Sequence, residues 1–207
     1  MELTQQDFKS ATSAVASKAM RNELNALIEG IEDPNAKRAF EAEMSSFYHL
    51  FNRFLAEKAK GVKLDWDKIQ PPAAEQVTPY ASLPQASDPS VLSKLAVLKL
   101  NGGLGTTMGC TGPKSIIEVR EGMTFLDMSV RQIEHLNGTY NVNVPFILMN
   151  SFNTDDDTAR VIQKYANHNV EIMTFNQSRY PRINRDTLLP CPRSATSNKN
   201  LWYPPGH

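Results

Sequence analysis

The 207-residue chain can hold one large domain or one domain with an appendage, and its 41% of hydrophobic residues suffices for a core. Lysine and arginine together number 22, as do aspartate and glutamate, so the global basic field typical of nucleic-acid-binding proteins is missing. The first residues show no basic start followed by an apolar run, and apolar stretches fall short of the roughly eighteen residues that a membrane span needs. The two cysteines, Cys110 and Cys191, indicate neither a disulfide framework nor a zinc site. These features predict a cytoplasmic protein that binds neither nucleic acid nor membranes.

The first sixty residues carry the signals of helices. Thr4 and Asp7 are spaced as a capping pair, and Asp33 followed by Pro34 predicts an N-cap with proline at the first helical position. Apolar side chains then recur at steps of three and four, up to a helix end near Gly61. They form one stripe: Phe40, Met44, Phe47, Phe51 and Phe54. We interpret this stripe as packing on the chain's own core, with a face for a partner protein as the alternative.

A proline-rich segment separates these helices from the rest. Between residues 61 and 89 lie few apolar side chains and five prolines including Pro89, which predicts an extended connector wrapped over a surface. The chain therefore divides into a helical region with its connector, residues 1–90, and a second region, residues 91–207.

Strand and helix patterns alternate in the second region. Three short apolar runs have the length of strands: residues 95–100, 144–149 and 170–175. The first of them is expected to be buried. Thr124 with Asp127 predicts the cap of one helix, and Asn153 or Thr154 predicts the cap of another that extends to about residue 166. This order is typical of a parallel sheet with crossover helices, and hence of the α/β class.

A glycine-rich turn follows the first predicted strand. Half of the ten glycines of the chain lie within eleven positions. They are Gly102, Gly103, Gly105, Gly109 and Gly112. A backbone without Cβ atoms lets an anion approach its N–H groups closely, and Lys114 adds a mobile positive charge. The pattern predicts a phosphate cradle, and an ordinary flexible loop is the alternative.

Two common phosphate motifs fit this turn less well than a third. A P-loop needs glycine directly before its lysine, but Pro113 precedes Lys114. In a dinucleotide fingerprint the third glycine would stand one residue before Gly109, and the chain here continues into a brief strand or extended return at residues 116–119 rather than a helix. The nucleotidyltransferase pattern, a strand leading into Gly-x-Gly-Thr-x-Met with a later Pro-Lys, fits at residues 103–108 and 113–114.

Four longer strings narrow the match. They are Leu-Asn-Gly-Gly-Leu-Gly-Thr-Thr-Met-Gly-Cys-Thr-Gly-Pro-Lys-Ser at residues 100–115, Thr-Phe-Leu-Asp at 124–127, Phe-Asn-Gln-Ser at 175–178 and Trp-Tyr-Pro-Pro-Gly-His at 202–207. In this combination the chain closely resembles the eukaryotic UDP-glucose pyrophosphorylase family, also called UTP–glucose-1-phosphate uridylyltransferases. The resemblance implies N-terminal helices followed by part of a Rossmann-like nucleotidyltransferase sheet. It also implies the reversible, Mg²⁺-dependent reaction of UTP with glucose 1-phosphate to give UDP-glucose and pyrophosphate.

The resemblance implies roles for single residues. Lys114 would be catalytic, touching the UTP phosphates near the metal without ligating it. The nucleotide would contact Leu100, Asn101, Gly102, Gly103, Lys114, Gln177 and Gly206. The sugar substrate would contact Gly102, Gly103 and His207. Because the second pKa of a phosphate monoester is about 6, the sugar phosphate needs no general base, and we expect direct in-line attack on the α-phosphate.

Gln177 is the candidate for reading the base. Its amide offers one donor and one acceptor side, complementary to the O4 acceptor and N3–H donor of uracil. It also lies just past the third predicted strand, where open α/β sheets bind ligands. Without the resemblance, an ordinary loop glutamine is an equal alternative.

Other chemically suggestive residues have simpler interpretations. The acidic run at residues 155–157 could bind a metal, but acidic residues in the first turn of a helix complement its dipole, and we favour that explanation. Cys110 could be an oxidation-sensitive thiol, but we interpret it as a small loop residue. Three histidines are expected on the surface or beside helices: His49, His135 and His168.

In the family, the Pro-Pro-Gly-His string continues into Gly-Asp and a long remainder. That remainder would hold the metal-binding aspartate, a further lysine, the rest of the sugar pocket and a C-terminal region used for homo-oligomerisation. The resemblance therefore implies a truncated, N-terminal portion, which we expect to be inactive alone. Two alternatives stay open: a non-catalytic uridine-nucleotide-binding or helper subunit that docks a partner through the stripe of residues 40–54, and another sugar nucleotidyltransferase.

Overall fold

The computed structural model describes residues 5–61, 64–84, 88–105, 108–109 and 112–206. It begins with two helices, α1 (Gln5–Glu29) and α2 (Pro34–Lys60), which pack against each other. Asp33 accepts a hydrogen bond from the Ala36 N–H at 2.6 Å, and α2 ends at Gly61, whose φ of 63° suits glycine. The structure confirms both predicted ends of α2. The predicted cap at Thr4 lies outside the described residues.

The apolar stripe of α2 is buried in a first core, as predicted. Phe40, Met44 and Phe51 lie there with Trp202, which comes from the other end of the chain. Phe54 differs from the prediction because it is 42% exposed, and Leu55 takes the core position instead. The residues that share this core are Met20, Leu24, Leu27, Phe40, Met44, Phe51, Leu55 and Trp202. The first core thus draws on both sides of the division predicted at residue 90.

The connector lies on the surface, and every described residue from 64 to 84 is exposed. It differs from the predicted extended chain because it contains short 3₁₀ turns at Trp66–Lys68, Ala74–Gln76 and Tyr80–Ser82. Local side-chain bonds stabilise such turns: Asp65 accepts a hydrogen bond from the Asp67 N–H at 3.2 Å.

Three parallel strands form the main sheet of the second region. They are β1 (Val97–Leu100), β4 (Phe146–Asn150) and β5 (Ile172–Asn176), in the order β1-β4-β5. Between them come a small antiparallel pair, β2 (Glu118–Arg120) with β3 (Met123–Thr124), and the helices α3 (Phe125–Tyr140) and α4 (Asp155–Val161). The predicted α/β class with a parallel sheet is confirmed.

Among the described residues, helices cover one face of this sheet and leave the other open. Phe146 and Leu148 of β4 are fully buried against Leu126 and Val130 of α3 in a second core. On the opposite face, the side chains of the two outer strands are about half exposed: Leu98, Leu100, Met173 and Phe175. The expectation of a buried first strand is therefore wrong, because β1 is an edge strand and alternates between the covered and the open face.

Two local predictions also need correction. The chain forms a 3₁₀ turn at Lys114–Ile116 before β2, so the extended segment starts later than residue 116. The second crossover helix is shorter than expected, since α4 gives way to a 3₁₀ turn at Ile162–Tyr165. The Thr154 hydroxyl does not cap α4 but accepts a hydrogen bond from the Ser151 N–H at 3.0 Å. In the described part of the chain, no helix is both long and apolar enough to cross a bilayer.

Asp127 links α3 to the turn after α4. The predicted capping box is present, with Thr124 and Asp127 bonding each other's backbone N–H groups. Asp127 also accepts a hydrogen bond from the Tyr165 hydroxyl at 2.9 Å and lies 2.6 Å from the Lys164 ammonium. Burial opposes ionisation of the carboxyl, but these hydrogen bonds outweigh it and hold the pKa of Asp127 well below its usual range.

We expect Asp127→Ala to lower the free energy of unfolding by about 2 kcal/mol near pH 7, because the cap and the charged hydrogen bonds are lost together. A depressed pKa stabilises the fold above the unfolded-state value of about 4 and loses that contribution as the pH falls toward the folded-state value. The difference between wild type and variant should therefore shrink on acidification. Urea unfolding followed by circular dichroism at neutral and acidic pH measures this.

The exposed Asp67 provides a matched control for the loss of a carboxylate. Asp67→Ala should change the free energy of unfolding by less than about 0.5 kcal/mol at either pH. An effect of Asp127→Ala that is equally large in acid would contradict the assigned charge state.

Candidate nucleotide site

The glycine-rich turn that follows β1 is closed by backbone hydrogen bonds. The Gly105 N–H donates to the Gly112 oxygen at 3.1 Å, and the Lys114 N–H donates to the Gly103 oxygen at 3.0 Å. An isolated bridge joins the residues between these bonds, Leu104 and Pro113. Lys114 is thereby fixed at its backbone beside Gly103, while its side chain is exposed.

A network of buried polar side chains supports the turn. The Ser151 hydroxyl donates to the Gly102 oxygen at 2.8 Å. The Asn101 amide donates to the Asn150 side-chain oxygen at 2.7 Å and to the Thr158 hydroxyl at 2.8 Å. All of these groups are buried, so the network replaces bonds that water would otherwise supply. The Asn101 side chain is thus fixed within the fold directly before Gly102. Its contact with a nucleotide stays a prediction.

The sequence analysis did not select the partners in this network. Asn150 and Ser151 directly follow the apolar run of β4, and Thr158 lies in α4. Polar side chains immediately after the central strand of a parallel sheet were the available signal, because the carboxyl ends of such strands meet at one edge.

The Gln177 side chain lies between two glycines. Gln177 directly follows β5, and its backbone N–H donates a hydrogen bond to the backbone oxygen of Asn150 at 2.9 Å. Its side-chain oxygen accepts a hydrogen bond from the Gly206 N–H at 2.6 Å. A Cβ on Gly102 would lie 2.1 Å from the Gln177 side-chain nitrogen, and one on Gly206 would lie 2.7 Å from the oxygen. Residues from three separate parts of the chain therefore meet at this amide.

The nitrogen of the Gln177 amide is buried and has no hydrogen-bond partner among the residues that the structure describes. A buried NH₂ group without an acceptor costs free energy, so it calls for one from outside this set. The structure thus brings together three predicted site residues, Gly102, Gln177 and Gly206, around an unused donor.

Leu100 and Gly109 are further residues that the sequence singles out and the structure describes. Leu100 is the last residue of β1, and its side chain is about half exposed on the open face of the sheet. Gly109 has a φ of 72°, which favours glycine. Residues 106–107 and 110–111, with Cys110, lie outside the described part of the chain, as does His207.

The acidic run begins α4, and each carboxylate has a protein partner. Asp155 accepts a hydrogen bond from the Asn150 amide at 2.9 Å, and Asp157 pairs with Arg160. Asp156 lies 3.9 Å from the Lys199 ammonium. Within the described ranges, no three histidine, cysteine, aspartate or glutamate side chains converge as metal ligands. The run is thus placed in the first turn of the helix, where its charges complement the dipole.

Comparison with known proteins supports a nucleotide site at this place in the fold. A family model described as UTP–glucose-1-phosphate uridylyltransferase matches residues 44–207. The chain belongs to this family. A probable UTP–glucose-1-phosphate uridylyltransferase of Schizosaccharomyces pombe is 58% identical over 97% of the chain, and the Saccharomyces cerevisiae enzyme is 55% identical over the same share. The chain spans 40% of the length of each of these relatives.

Solved structures of the family share the fold. The UDP-glucose pyrophosphorylase of Leishmania major aligns with 93% of the chain at a TM-score of 0.66 and 29% identity. A variant of the Leishmania enzyme in complex with UDP-glucose aligns with 94% of the chain at a TM-score of 0.65 and 29% identity. In both cases the aligned part is 38% of the solved chain. The resemblance read from the glycine-rich turn is confirmed.

We expect Gly102→Ala to displace the Gln177 amide and to lower the free energy of unfolding by about 1–3 kcal/mol, as overpacking does. Thermal and urea unfolding measure the change. The added Cβ would meet Gln177 first, so combining Gly102→Ala with Gln177→Ala should recover part of the loss.

Gly138 of α3 is the matched control, because a Cβ there meets nothing within 4 Å. Gly138→Ala should stabilise the chain by roughly 0.5–1 kcal/mol, since alanine is the better helix former. Equal effects of the two glycine substitutions would contradict the close approach at Gly102.

Proposed function

We propose that the chain supplies the uridine-nucleotide side of a UTP–glucose-1-phosphate uridylyltransferase site. The proposed reaction is uridylyl transfer from UTP to glucose 1-phosphate, which gives UDP-glucose and pyrophosphate. The observation that carries the proposal is the buried NH₂ of Gln177, which has no acceptor among the described residues and is held between Gly102 and Gly206 at the carboxyl edge of a parallel sheet. Membership of the uridylyltransferase family supports the same assignment.

The hydrogen bond from the Gly206 N–H fixes which end of the Gln177 amide carries the oxygen and which carries the NH₂ group. With its oxygen turned to the Gly206 N–H, its NH₂ group is free to donate to O4 of uracil. The second lone pair of the same oxygen can accept the uracil N3–H. Cytosine has the same shape but carries an amino donor in place of O4 and an acceptor at N3, so it would meet donor against donor. Discrimination between UTP and CTP is therefore the specific expectation.

Phosphates would lie at the glycine-rich turn. Backbone N–H groups without neighbouring Cβ atoms favour close approach of an anion, and Lys114 follows directly after the closing bridge. The limiting difficulty is charge, because two anions must approach and more charge develops at the α-phosphorus. Lys114 would stabilise that charge, and the glycine-rich turn would position the reacting groups.

Mg²⁺ belongs to this proposal in a limited form. Within the described part of the chain, acidic and histidine side chains do not converge into a metal site. Mg²⁺ commonly uses one or two carboxylates together with substrate phosphates, and when bound it neutralises phosphate charge. We therefore assign the ion to the triphosphate of UTP and give Lys114 no role as its ligand. A cytoplasmic location is a further part of the proposal, as is homo-oligomerisation of full-length family members through a C-terminal region that these 207 residues do not include.

Docking of a partner protein on the α2 stripe, the basis of the helper-subunit alternative, loses its support. Phe40, Met44 and Phe51 are buried in the first core, which leaves Phe54 as the one largely exposed side chain of the stripe. We therefore favour a nucleotide site in a transferase over a docking module.

Calorimetric titration with UTP, CTP and inorganic triphosphate tests the proposal. Wild type should bind UTP at least about ten-fold more tightly than CTP, because a mismatched polar edge leaves buried groups unpaired. Gln177→Ala should remove this preference while leaving triphosphate binding unchanged. Lys114→Ala should weaken all three ligands by about ten-fold, since it removes a charge from the phosphates.

Lys94 offers a matched control for the lysine. It is exposed and precedes β1, so Lys94→Ala should leave all three affinities unchanged. Equal affinity of the wild type for UTP and CTP would refute the assignment of Gln177 as the base-reading residue.

A further inference from the structure

Two short strands bring the segments beside the site together. β6 (Tyr180–Pro181) follows Gln177 along the chain, and β7 (Trp202–Tyr203) precedes Gly206. The two strands pair antiparallel, with Tyr180 opposite Tyr203. Because Gln177 and Gly206 both extend from this pairing, their separation depends on how firmly the pairing is held.

Arg179 lies where this strand pair meets α2. Its guanidinium carbon is 4.9 Å from the centroid of the Trp202 ring and 5.3 Å from that of the Phe40 ring. The two rings meet edge to face with centroids 5.8 Å apart, and both are nearly fully buried. Contact of a guanidinium with desolvated aromatic rings stabilises its orientation. Arg179 is thus fixed against the first core only two residues after Gln177.

The next turns of α2 extend this contact. Glu43 is partly buried and faces Arg179: burial raises the pKa of Glu43, and the charge and backbone N–H of Arg179 oppose the rise. Phe47 contacts the Tyr180 ring, with centroids 5.5 Å apart. Phe40, Glu43 and Phe47 therefore hold the chain immediately after the site on successive turns of one helix.

We propose that Arg179 is a positioning residue of the nucleotide site. Held by Phe40 and Trp202, it fixes the Gln177 amide relative to Gly206 and so sets the discrimination between uracil and cytosine. It acts through Gln177, and the two N-terminal helices influence base selection through it. The inference rests on the proposed function, in which Gln177 reads the base.

The test compares Arg179→Ala with Arg182→Ala in titrations with UTP, CTP and inorganic triphosphate. Arg179→Ala should lower the ratio of UTP to CTP affinity by up to about ten-fold, because a Gln177 amide that is no longer held in one orientation can turn either edge to the base. Triphosphate binding should stay unchanged, because the glycine-rich turn is held by Ser151 and its own bridge. A merely structural role would alter all three ligands together.

Arg182 is the matched control, because it directly follows β6 and its guanidinium lies 5.3 Å from the Tyr203 ring, but both side chains of this contact are exposed. Arg182→Ala should leave the ratio unchanged. Arg179→Lys keeps the charge without the planar stacking, so it should lower the ratio by a smaller factor. If circular dichroism shows that Arg179→Ala does not fold, Arg179→Lys carries the test.

The outcomes separate this inference from the proposed function. A wild-type preference for UTP that depends on Gln177 but is unchanged in both Arg179 variants would overturn the positioning role alone. An equal loss for UTP, CTP and triphosphate would also overturn it. A wild type without any preference for UTP would overturn both proposals.

Discussion

The site depends on the fit of one amide between two glycines. Gln177 accepts a hydrogen bond from the Gly206 N–H, 29 residues away, and its nitrogen occupies space that a Cβ on Gly102 would need. The end of β5, the start of the glycine-rich turn and the C-terminal segment therefore meet at a single side chain. A larger residue at position 102 or 206 would displace the Gln177 amide, because the contact leaves no room for a methyl group beside it.

Two cores hold the segments that meet at Gln177. The second core, formed by α3 and β4, fixes the sheet edge from which Asn150 and Gln177 extend. The first core, formed by the N-terminal helices, includes Trp202 and so fixes the C-terminal segment. An edge-to-face ring pair such as Phe40 with Trp202 contributes about 0.5–1.5 kcal/mol beyond its buried area. Helices that supply no predicted ligand thus contribute to the shape of the site.

The sequence predicted those features that depend on local chemistry. The Asp33 and Thr124 caps, the end of α2 at Gly61 and the alternation of strands and helices all follow from short-range patterns, and the structure contains them. Burial of β1 was predicted wrongly, because an apolar run does not reveal whether its strand lies at the centre or the edge of a sheet. α4 also ends before the predicted residue 166, where the chain forms a 3₁₀ turn and the Tyr165 hydroxyl bonds Asp127, a contact 38 residues away that the local pattern does not show.

The support of the site could not be predicted in the same way. The bonds of Asn101 with Asn150 and Thr158 join residues 49 and 57 positions apart, and no local pattern encodes such pairings. The sequence does not distinguish Arg179 from a surface arginine, because its contacts with Phe40 and Trp202 arise only in the folded chain. The Phe-Asn-Gln-Ser string indicated Gln177, whereas only the fold shows that its side-chain nitrogen is buried without an acceptor among the described residues.

The side-chain amide resonance of Gln177 in ¹⁵N-labelled protein gives the most direct test of the central claim. It can be assigned by its absence from the spectrum of the Gln177→Ala variant. Saturation with UTP should shift this resonance, because its NH₂ group gains an acceptor that the described residues do not provide, while inorganic triphosphate should leave it in place. If UTP binds and shifts the backbone amides of the glycine-rich turn but leaves the Gln177 resonance unchanged, the account is contradicted.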